Sequence, residues 1–146
     1  MEDVEIRPAR PDELEAVLGV WTAAGSVPSV SDSPEALARL LTFDGDALLV
    51  AVTGGRVVGT LIAAWDGWRG AMYRLAVVPD QRHRGIATAL VGEGERRLAA
   101  KGSPRVAAIV MREHDHATGF WRRFGYRFDT RVGRWVHNLG GGGRPG

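Results

Sequence analysis

The sequence predicts one α/β domain, and three observations support this prediction. Its 146 residues suit a single domain of ordinary size, and 45% hydrophobic with 25% charged residues is typical of a globular protein. Strand-like runs rich in β-branched residues are interspersed with runs in which apolar residues recur every three or four positions. A strand, a long helix and another strand follow one another over residues 70–111, as in a crossover unit with parallel strands.

The N-terminal third is predicted to form one strand and two helices. Val4–Arg7 alternates apolar and polar residues, as a short strand does. Asp12 can cap a first helix that runs to about Ala24. A second helix begins at Pro34, with Ser33 as its cap, because proline fits the first helical turn.

Three strands are predicted in the middle of the chain. The runs Ala47–Thr53 and Arg56–Trp65 are strand-like, and Gly54-Gly55 between them indicates a two-residue hairpin turn. A fourth strand covers Gly70–Val78 and ends at Pro79, which cannot continue a ladder.

The remaining elements complete a central mixed sheet of six to seven strands with helices on both faces. A long helix spans Gly85–Lys101, and a strand rich in β-branched residues spans Arg105–Met111. Asp115–Phe124 indicates a further helix. Two last strands are predicted at Tyr126–Asp129 and Arg134–Leu139.

The composition narrows the classes of function. The sequence has no cysteine, which excludes a disulfide framework, a thiolate metal site and a cysteine nucleophile. No signal peptide or membrane span is expected, because the acidic N-terminus is not followed by an apolar region and no run of about 18 apolar residues exists. We therefore expect a cytoplasmic protein with a domain over residues 1–139 and a disordered glycine-rich tail over 140–146.

The most informative segment runs from Leu75 to Leu90 and contains a hydrophobic strand, a basic loop and a helix start. The first turn of a helix offers unpaired N–H groups and a partial positive charge. Gly85 is small, so a phosphate can approach the backbone, and Arg82 and Arg84 add full charges nearby. The segment lacks the spacing of a Walker loop or a dinucleotide fingerprint. We interpret it as a pyrophosphate site.

Two motifs resemble the GNAT superfamily of N-acetyltransferases. The run Arg82-x-x-Gly85-x-Ala87 matches the signature R/Q-x-x-G-x-G/A, and Ala117-x-x-x-Trp121-x-x-x-Gly125-Tyr126 is similar to A-x-x-x-Y-x-x-x-G-F. The order of elements agrees over about residues 4–139. The sequence most resembles small bacterial acetyltransferases related to the ribosomal-protein alanine N-acetyltransferases.

This resemblance implies that acetyl-CoA is the co-substrate, with no metal. The pyrophosphate of coenzyme A would be held by a loop and helix start made of Arg82, His83, Arg84, Gly85, Ile86, Ala87 and Thr88. Backbone groups of Val77 and Val78 would pair with pantetheine. The acetyl carbonyl would lie in a splay between strands 4 and 5, polarised by an N–H group near Val77.

The catalytic residues depart from the family pattern. The family often has a glutamate in strand 4 as base, but residues 70–78 contain no carboxylate. The remaining candidates are Tyr73, Asp66 and Glu113, and a water chain is a further alternative. Asp66 also suits a purely structural role in the turn before Gly67.

Two cofactor contacts also differ from the pattern. The tyrosine that protonates the thiolate in the family falls at Trp121, whose indole N–H is not a practical acid. Trp121 also fits a core position, since aromatic residues dominate cores. His114 falls where the family often has an asparagine that contacts pantetheine.

Several partners remain to be distinguished. The expected acceptor is the amine of a small molecule or of a peptide, and the loop Gly25–Ser33 that should cover it carries only Asp32 as charge. A catalytically weak acyl-CoA sensor is the alternative function. Neither nucleic acid nor a membrane is expected as a partner. Trp65 and Trp68 flank a turn and line either a pocket or the contact of a homodimer.

Overall fold

A computed structural model describes residues 3–111 and 115–140 of the chain. It divides into two compact units, Met1–Ile109 and Val110–Gly146. Within the described ranges, no helix is both long enough and apolar enough to cross a membrane. The single domain over residues 1–139 stays a prediction, and residues 141–146 of the expected tail lie outside the described residues.

The described residues form five strands and four helices. The strands are β1 (Glu5–Pro8), β2 (Leu48–Thr53), β3 (Arg56–Trp65), β4 (Gly70–Val77) and β5 (Val106–Ala108). The helices are α1 (Leu14–Ala23), α2 (Pro34–Phe43), α3 (Ile86–Ala100) and α4 (Asp115–Arg123). The predicted α/β class is therefore confirmed.

The sheet has the order β1-β2-β3-β4-β5, and only the last pair is parallel. The parallel pair confirms the crossover unit, because α3 connects β4 to β5. Gly54 and Gly55 join β2 to β3 with φ angles of 56° and 74°. Both lie in the left-handed region that a two-residue hairpin requires, so the predicted turn is also confirmed.

Helices cover both faces of the sheet, as predicted. Neighbouring residues in a strand point to opposite faces of the sheet. The contacts of Thr60 and of Leu61 in β3 therefore show what covers each face. On one side, the Trp21 indole of α1 donates to the Thr60 hydroxyl at 2.8 Å. On the other side α3 approaches so closely that a Cβ added to Gly94 would lie 2.9 Å from a Leu61 methyl group.

The helix caps agree with the sequence in one case and differ in the other. The Ala36 N–H donates to the Ser33 hydroxyl at 3.1 Å, which confirms the cap of α2. The predicted cap at Asp12 is wrong. A 3₁₀ turn, Pro11–Glu13, precedes α1 instead, because the Glu13 carboxylate accepts the Arg10 N–H at 2.8 Å and closes that turn.

The two C-terminal strands predicted at 126–129 and 134–139 are wrong, and the described sheet has five strands instead of six or seven. Trp135 and Leu139 are 95% and 87% exposed, so these apolar side chains gain little from burial. An isolated pair of strands is marginal in water without such burial. A turn in which Asp129 accepts the Arg131 N–H at 3.0 Å does form between the two segments.

A buried ion pair connects α3 to the segment that leads into β2. The Arg97 side chain is only 8% exposed, and its Nη2 donates to the Asp44 carboxylate. Its Nε donates to the Ala63 carbonyl of β3 at 3.1 Å. One guanidinium therefore serves a buried carbonyl of β3 and a part-buried carboxylate of the segment between α2 and β2.

We predict that Arg97→Leu lowers the free energy of unfolding by roughly 3 kcal/mol, because it leaves Asp44 and a backbone carbonyl without their donor. Urea denaturation measures this change. Arg96→Leu is the matched control, since the Arg96 side chain is 69% exposed and pairs with Glu93 one turn earlier on α3. Equal losses in the two variants would contradict the assignment.

We predict a pH-dependent contribution from Glu13. The Arg7 guanidinium donates to both Glu13 oxygens at 2.8 Å and lowers the pKa of that carboxyl from 4.5 to about 2. The pair therefore stabilises the fold fully above pH 4.5 and loses this effect as the pH falls towards 2. Glu13→Gln should melt at a lower temperature than the wild type at pH 7, and the difference should narrow over the acid range. A difference that stays constant down to pH 2 would refute this account.

Candidate functional site

The first turn of α3 forms a concave group of backbone N–H donors. Gly85 has a φ of 78° and precedes Ile86, the first residue of the right-handed helix. A left-handed residue followed by a right-handed one turns successive N–H groups towards one point, which is an anion-binding arrangement. The first helical bond runs from the Ala89 N–H to the Gly85 carbonyl at 3.0 Å, so the N–H groups before Ala89 have no helical acceptor.

This helix start is open to solvent. A Cβ added to Gly85 would meet no atom within 4 Å, and Thr88 is exposed. The N-cap residue is Gly85, which has no side chain that could cap the turn. An anion can therefore reach these amides, and the helix dipole favours its negative charge.

The loop before the helix contributes cationic side chains. A 3₁₀ turn, Pro79–Gln81, follows β4 and leads into this loop. Arg82 is exposed and its Nε lies 3.4 Å from the Val77 carbonyl, while Arg84 donates to the Gln81 side chain. His83 has a φ of 65°, which is uncommon for a residue with a side chain. The predicted loop residues are thus brought together beside the start of α3.

Among the described residues, β5 is the strand that pairs with β4 on this side, and it does not reach the end of β4. β5 pairs only with Gly70–Met72, and one further bond runs from the Ile109 N–H to the Met72 carbonyl at 3.0 Å. The strand predicted at 105–111 is therefore shorter in the structure and covers only Val106–Ala108, because the backbone no longer pairs with β4 as a strand beyond Met72. This divergence agrees with the expected splay. Within the described residues no strand pairs with residues 73–77 on that side, and we call this stretch the open edge.

The backbone groups of Val77 and Val78 face opposite ways along this edge. The Val78 N–H donates to the Val58 carbonyl of β3 at 2.9 Å, and its own carbonyl accepts the Gln81 N–H. Val77 lies opposite Gly59 in the next, non-bonded pair of the ladder, so its N–H and carbonyl point away from β3. Of these two residues, Val77 therefore offers backbone groups to a bound molecule, whereas the N–H of Val78 is already used.

A β-bulge interrupts β4 within this edge. The register shifts between the pairs Thr60↔Ala76 and Ile62↔Tyr73, and Arg74 within it has a φ of 57°. Arg74 was not among the site residues predicted from the sequence. An arginine in the interior of an otherwise apolar strand is the signal that could have identified it.

The three predicted catalytic residues have different surroundings. Tyr73 is 41% exposed and lies next to the bulge. The Asp66 carboxylate accepts the N–H groups of Trp68 and Arg69 at 2.7 Å, and these bonds lower its pKa below 3.8. Glu113 lies outside the described residues. Asp66 is also separated from Val77 by the length of β4, roughly 20 Å at ~3.3 Å per residue, so its position suits a turn residue.

The two remaining cofactor candidates lie in the second unit. Trp121 is buried in an aromatic cluster, with its ring 4.7 Å from Tyr126 and 5.5 Å from Phe120 in edge-on geometry. This packing is that of a core residue within its unit. His114 lies outside the described residues. Within the described residues, no three His, Asp or Glu side chains cluster as metal ligands would.

Comparison with known proteins identifies the family. Residues 16–126 match the acetyltransferase (GNAT) family. The chain belongs to the GNAT family. An acetyltransferase of Pectobacterium atrosepticum is 37% identical over 123 residues, covering 84% of this chain and 87% of that relative. This GNAT protein is therefore an acetyltransferase that uses acetyl-CoA.

Solved structures share the GNAT fold at low sequence identity. Ard1 from Thermoplasma volcanium has a TM-score of 0.78 at 18% identity, covering 87% of this chain and 84% of that one. The diaminobutyrate acetyltransferase of Paenibacillus lautus, in complex with its substrate and coenzyme A, has a TM-score of 0.72 at 19% identity. That comparison covers 85% of this chain and 75% of the other. The likeness extends to GNAT structures that contain coenzyme A.

We predict that Asp66→Asn leaves turnover unchanged in this GNAT acetyltransferase. Asparagine keeps an oxygen that can accept the N–H groups of Trp68 and Arg69, so the turn should persist. Thiol release from acetyl-CoA, followed with a thiol reagent, measures the rate. A large loss of turnover with an unchanged melting temperature would return Asp66 to the list of candidate bases.

Proposed function

We propose that this chain moves the acetyl group of acetyl-CoA to the primary amine of a small molecule or of a protein N-terminus, by direct attack of the amine on the thioester. The observation that carries the proposal is the open start of α3 next to the unpaired end of β4. A diphosphate and an extended chain attached to it fit these two features together. The proposal therefore assigns the diphosphate and the adjoining pantetheine of the cofactor to neighbouring parts of one unit.

The phosphates would be held by backbone N–H groups from Gly85 to Thr88, with Arg82 and Arg84 supplying charge. Charge-assisted bonds to phosphate are about twice as strong as neutral ones. The pantetheine would add to the open edge of β4 as an extra strand, through the N–H and carbonyl of Val77. The Arg82 side chain would then lose the 3.4 Å hydrogen bond from its Nε to the Val77 carbonyl and bind the phosphates instead.

The chemistry needs three things: a neutral amine, stabilisation of the charge that develops on the carbonyl oxygen, and a proton for the leaving thiolate. A backbone N–H near the bulge supplies the second, because a bulged residue is left out of the ladder. Tyr73 is the described candidate for proton transfer, since it is exposed beside that bulge. Orientation of the two substrates supplies a further part of the rate.

The acceptor is proposed as a class and not as a compound. The Paenibacillus lautus neighbour acts on L-2,4-diaminobutyric acid, but at 19% identity its likeness extends only to the fold. In this chain the segment between α1 and α2, residues 24–33, is the proposed cover of the acceptor. Its apolar side chains Val27 and Val30 are 49% and 78% exposed, so they are available to a substrate.

We predict that Gly85→Asp weakens acetyl-CoA binding about tenfold or more, because it adds a carboxylate and bulk where phosphates would bind. Isothermal titration calorimetry measures the affinity. Gly55→Asp is the matched control: its φ of 74° is close to the 78° of Gly85, and neither position has an atom within 4 Å of an added Cβ. If both variants bind acetyl-CoA as the wild type does, the proposed phosphate site is wrong.

We predict that Tyr73→Phe lowers kcat about a hundredfold if its hydroxyl transfers the proton, within the usual range for acid or base catalysis. The affinity for acetyl-CoA should stay the same, because the hydroxyl is not part of the proposed phosphate site. Steady-state kinetics at several pH values measure both quantities. A normal kcat in this variant would assign the proton to water or to another group.

Thiol release with a panel of amines separates the enzyme from the alternative, a weak or inactive acyl-CoA sensor. Trp121 motivates this alternative, since it replaces the tyrosine that would protonate the thiolate. The enzyme should release one thiol for each acetylated amine, which mass spectrometry can count. Tight binding of acetyl-CoA without release across small amines and N-terminal peptides would support the sensor.

A further inference from the structure

The side chain of Arg74 makes an unusual set of contacts for a residue inside a strand. Its Nη2 lies 2.8 Å from each oxygen of the Asp32 carboxylate, and its Nη1 donates to the Val27 carbonyl at 3.1 Å. The guanidinium carbon also lies 4.8 Å from the centre of the Trp21 ring. The side chains of Arg74 and Asp32 are only 19% and 17% exposed, so this ion pair is shielded from water.

The backbone of Arg74 is held as firmly as its side chain. Its φ of 57° lies in the left-handed region, which a residue with a side chain adopts only where the surroundings enforce it. The Arg74 carbonyl accepts the Thr60 hydroxyl at 2.8 Å, and the Thr60 oxygen in turn accepts the Trp21 indole N–H at 2.8 Å. Trp21 thus contacts both the guanidinium and, through Thr60, the carbonyl of the same residue.

These contacts connect the bulge to the segment 24–33 between α1 and α2. Val27 and Asp32 both belong to that segment, and they bind the same guanidinium. The Asp32 carboxylate also accepts the Ser29 N–H at 3.0 Å, which closes a turn within the segment. The segment has no helix or strand of its own, so Arg74 is a principal tie between it and the sheet.

We propose that Arg74 and Asp32 are positioning residues that couple the acceptor-covering segment to the bulge in β4. This inference rests on the proposed function. The bulge would place the thioester carbonyl, and the segment would place the amine, so one ion pair would set the distance between the two reactants. A misplacement of about 1 Å can cost a hundredfold in rate.

The same pair also determines the charge that an acceptor meets. Asp32 is the only charged side chain of residues 25–33, and Arg74 neutralises it. The intact segment therefore presents serines, valines and backbone groups, which suit an acceptor with a single amine near the reaction. Removal of the arginine alone would leave a bare carboxylate that attracts a second ammonium group.

The central experiment compares Asp32→Asn, Arg74→Gln and the double variant, with Arg96→Gln as control. Arg96 pairs with Glu93 on the exposed side of α3, so its loss breaks an ion pair away from β4. For the best acceptor of the amine panel, each single variant should lower kcat/KM about tenfold or more. The double variant should lose no more than the worse single variant, while the affinity for acetyl-CoA stays near that of the wild type.

A change in acceptor preference is the readout that a merely structural role would not produce. Arg74→Gln should shift preference from monoamines towards diamines, and the double variant should not, because it lacks the carboxylate. Unchanged kinetics in both single variants would overturn the proposal. So would a parallel loss of acetyl-CoA affinity, or an unchanged ratio of diamine to monoamine rates.

Hydrogen exchange separates this inference from the proposed function. In the protein without ligands, Asp32→Asn should speed amide exchange in residues 27–32 and 73–76, and Arg96→Gln should not. If the wild type neither binds acetyl-CoA nor releases thiol, the proposed function is wrong. Amide exchange in residues 27–32 and 73–76 still tests whether the ion pair couples the segment to the bulge. If Arg74 variants do not fold, Asp32→Asn decides the question alone, and normal exchange in that variant refutes the coupling.

Discussion

The open edge at the end of β4 is the constraint on which the described site depends. A strand edge with unpaired N–H and carbonyl groups attracts another chain unless it is covered or interrupted. Here β5 covers only Gly70–Met72, and a bulge at Arg74 interrupts the strand directly after that. The edge that remains is short and ends at a 3₁₀ turn, Pro79–Gln81. In the proposed complex, pantetheine would pair with this short edge as an additional strand.

The start of α3 is held against this edge by close packing. Ile86 is buried at the first helical position, and a Cβ added to Gly59 of β3 would lie 3.1 Å from both Ile86 and Leu90. A larger residue at position 59 would push the helix away from the strand. Because Gly59 has no side chain, Ile86 and Leu90 can pack directly on β3. This packing sets the position of the first turn of α3 and the direction of its N–H groups. Glycine in the sheet thus positions the donors at the helix start.

The sequence predicted correctly those features whose geometry depends on a few neighbouring residues. The cap at Ser33, the hairpin at Gly54-Gly55 and the helix start at Gly85 each depend on neighbouring residues only. The network around Arg74 was not predicted, because it joins residues 42 positions apart and depends on how the strands pair. The two C-terminal strands were wrongly predicted for a related reason: strand propensity has no effect without a partner edge and burial.

The family is easier to identify than the acceptor because the proposed cofactor site is made mainly of backbone groups, whereas the proposed acceptor site depends on side chains. The proposed phosphate site consists mainly of backbone N–H groups, and its shape depends on one left-handed glycine rather than on a set of side chains. Because backbone N–H groups are present whatever the side chain, such a site tolerates wide sequence change. A residue with a side chain in the left-handed region typically costs about 1–3 kcal/mol. The bulge is held by Thr60 of β3, Trp21 of α1 and Asp32 of the segment between α1 and α2. Contacts between side chains depend on the residue types at a few positions, so the fold alone does not determine which acceptor binds.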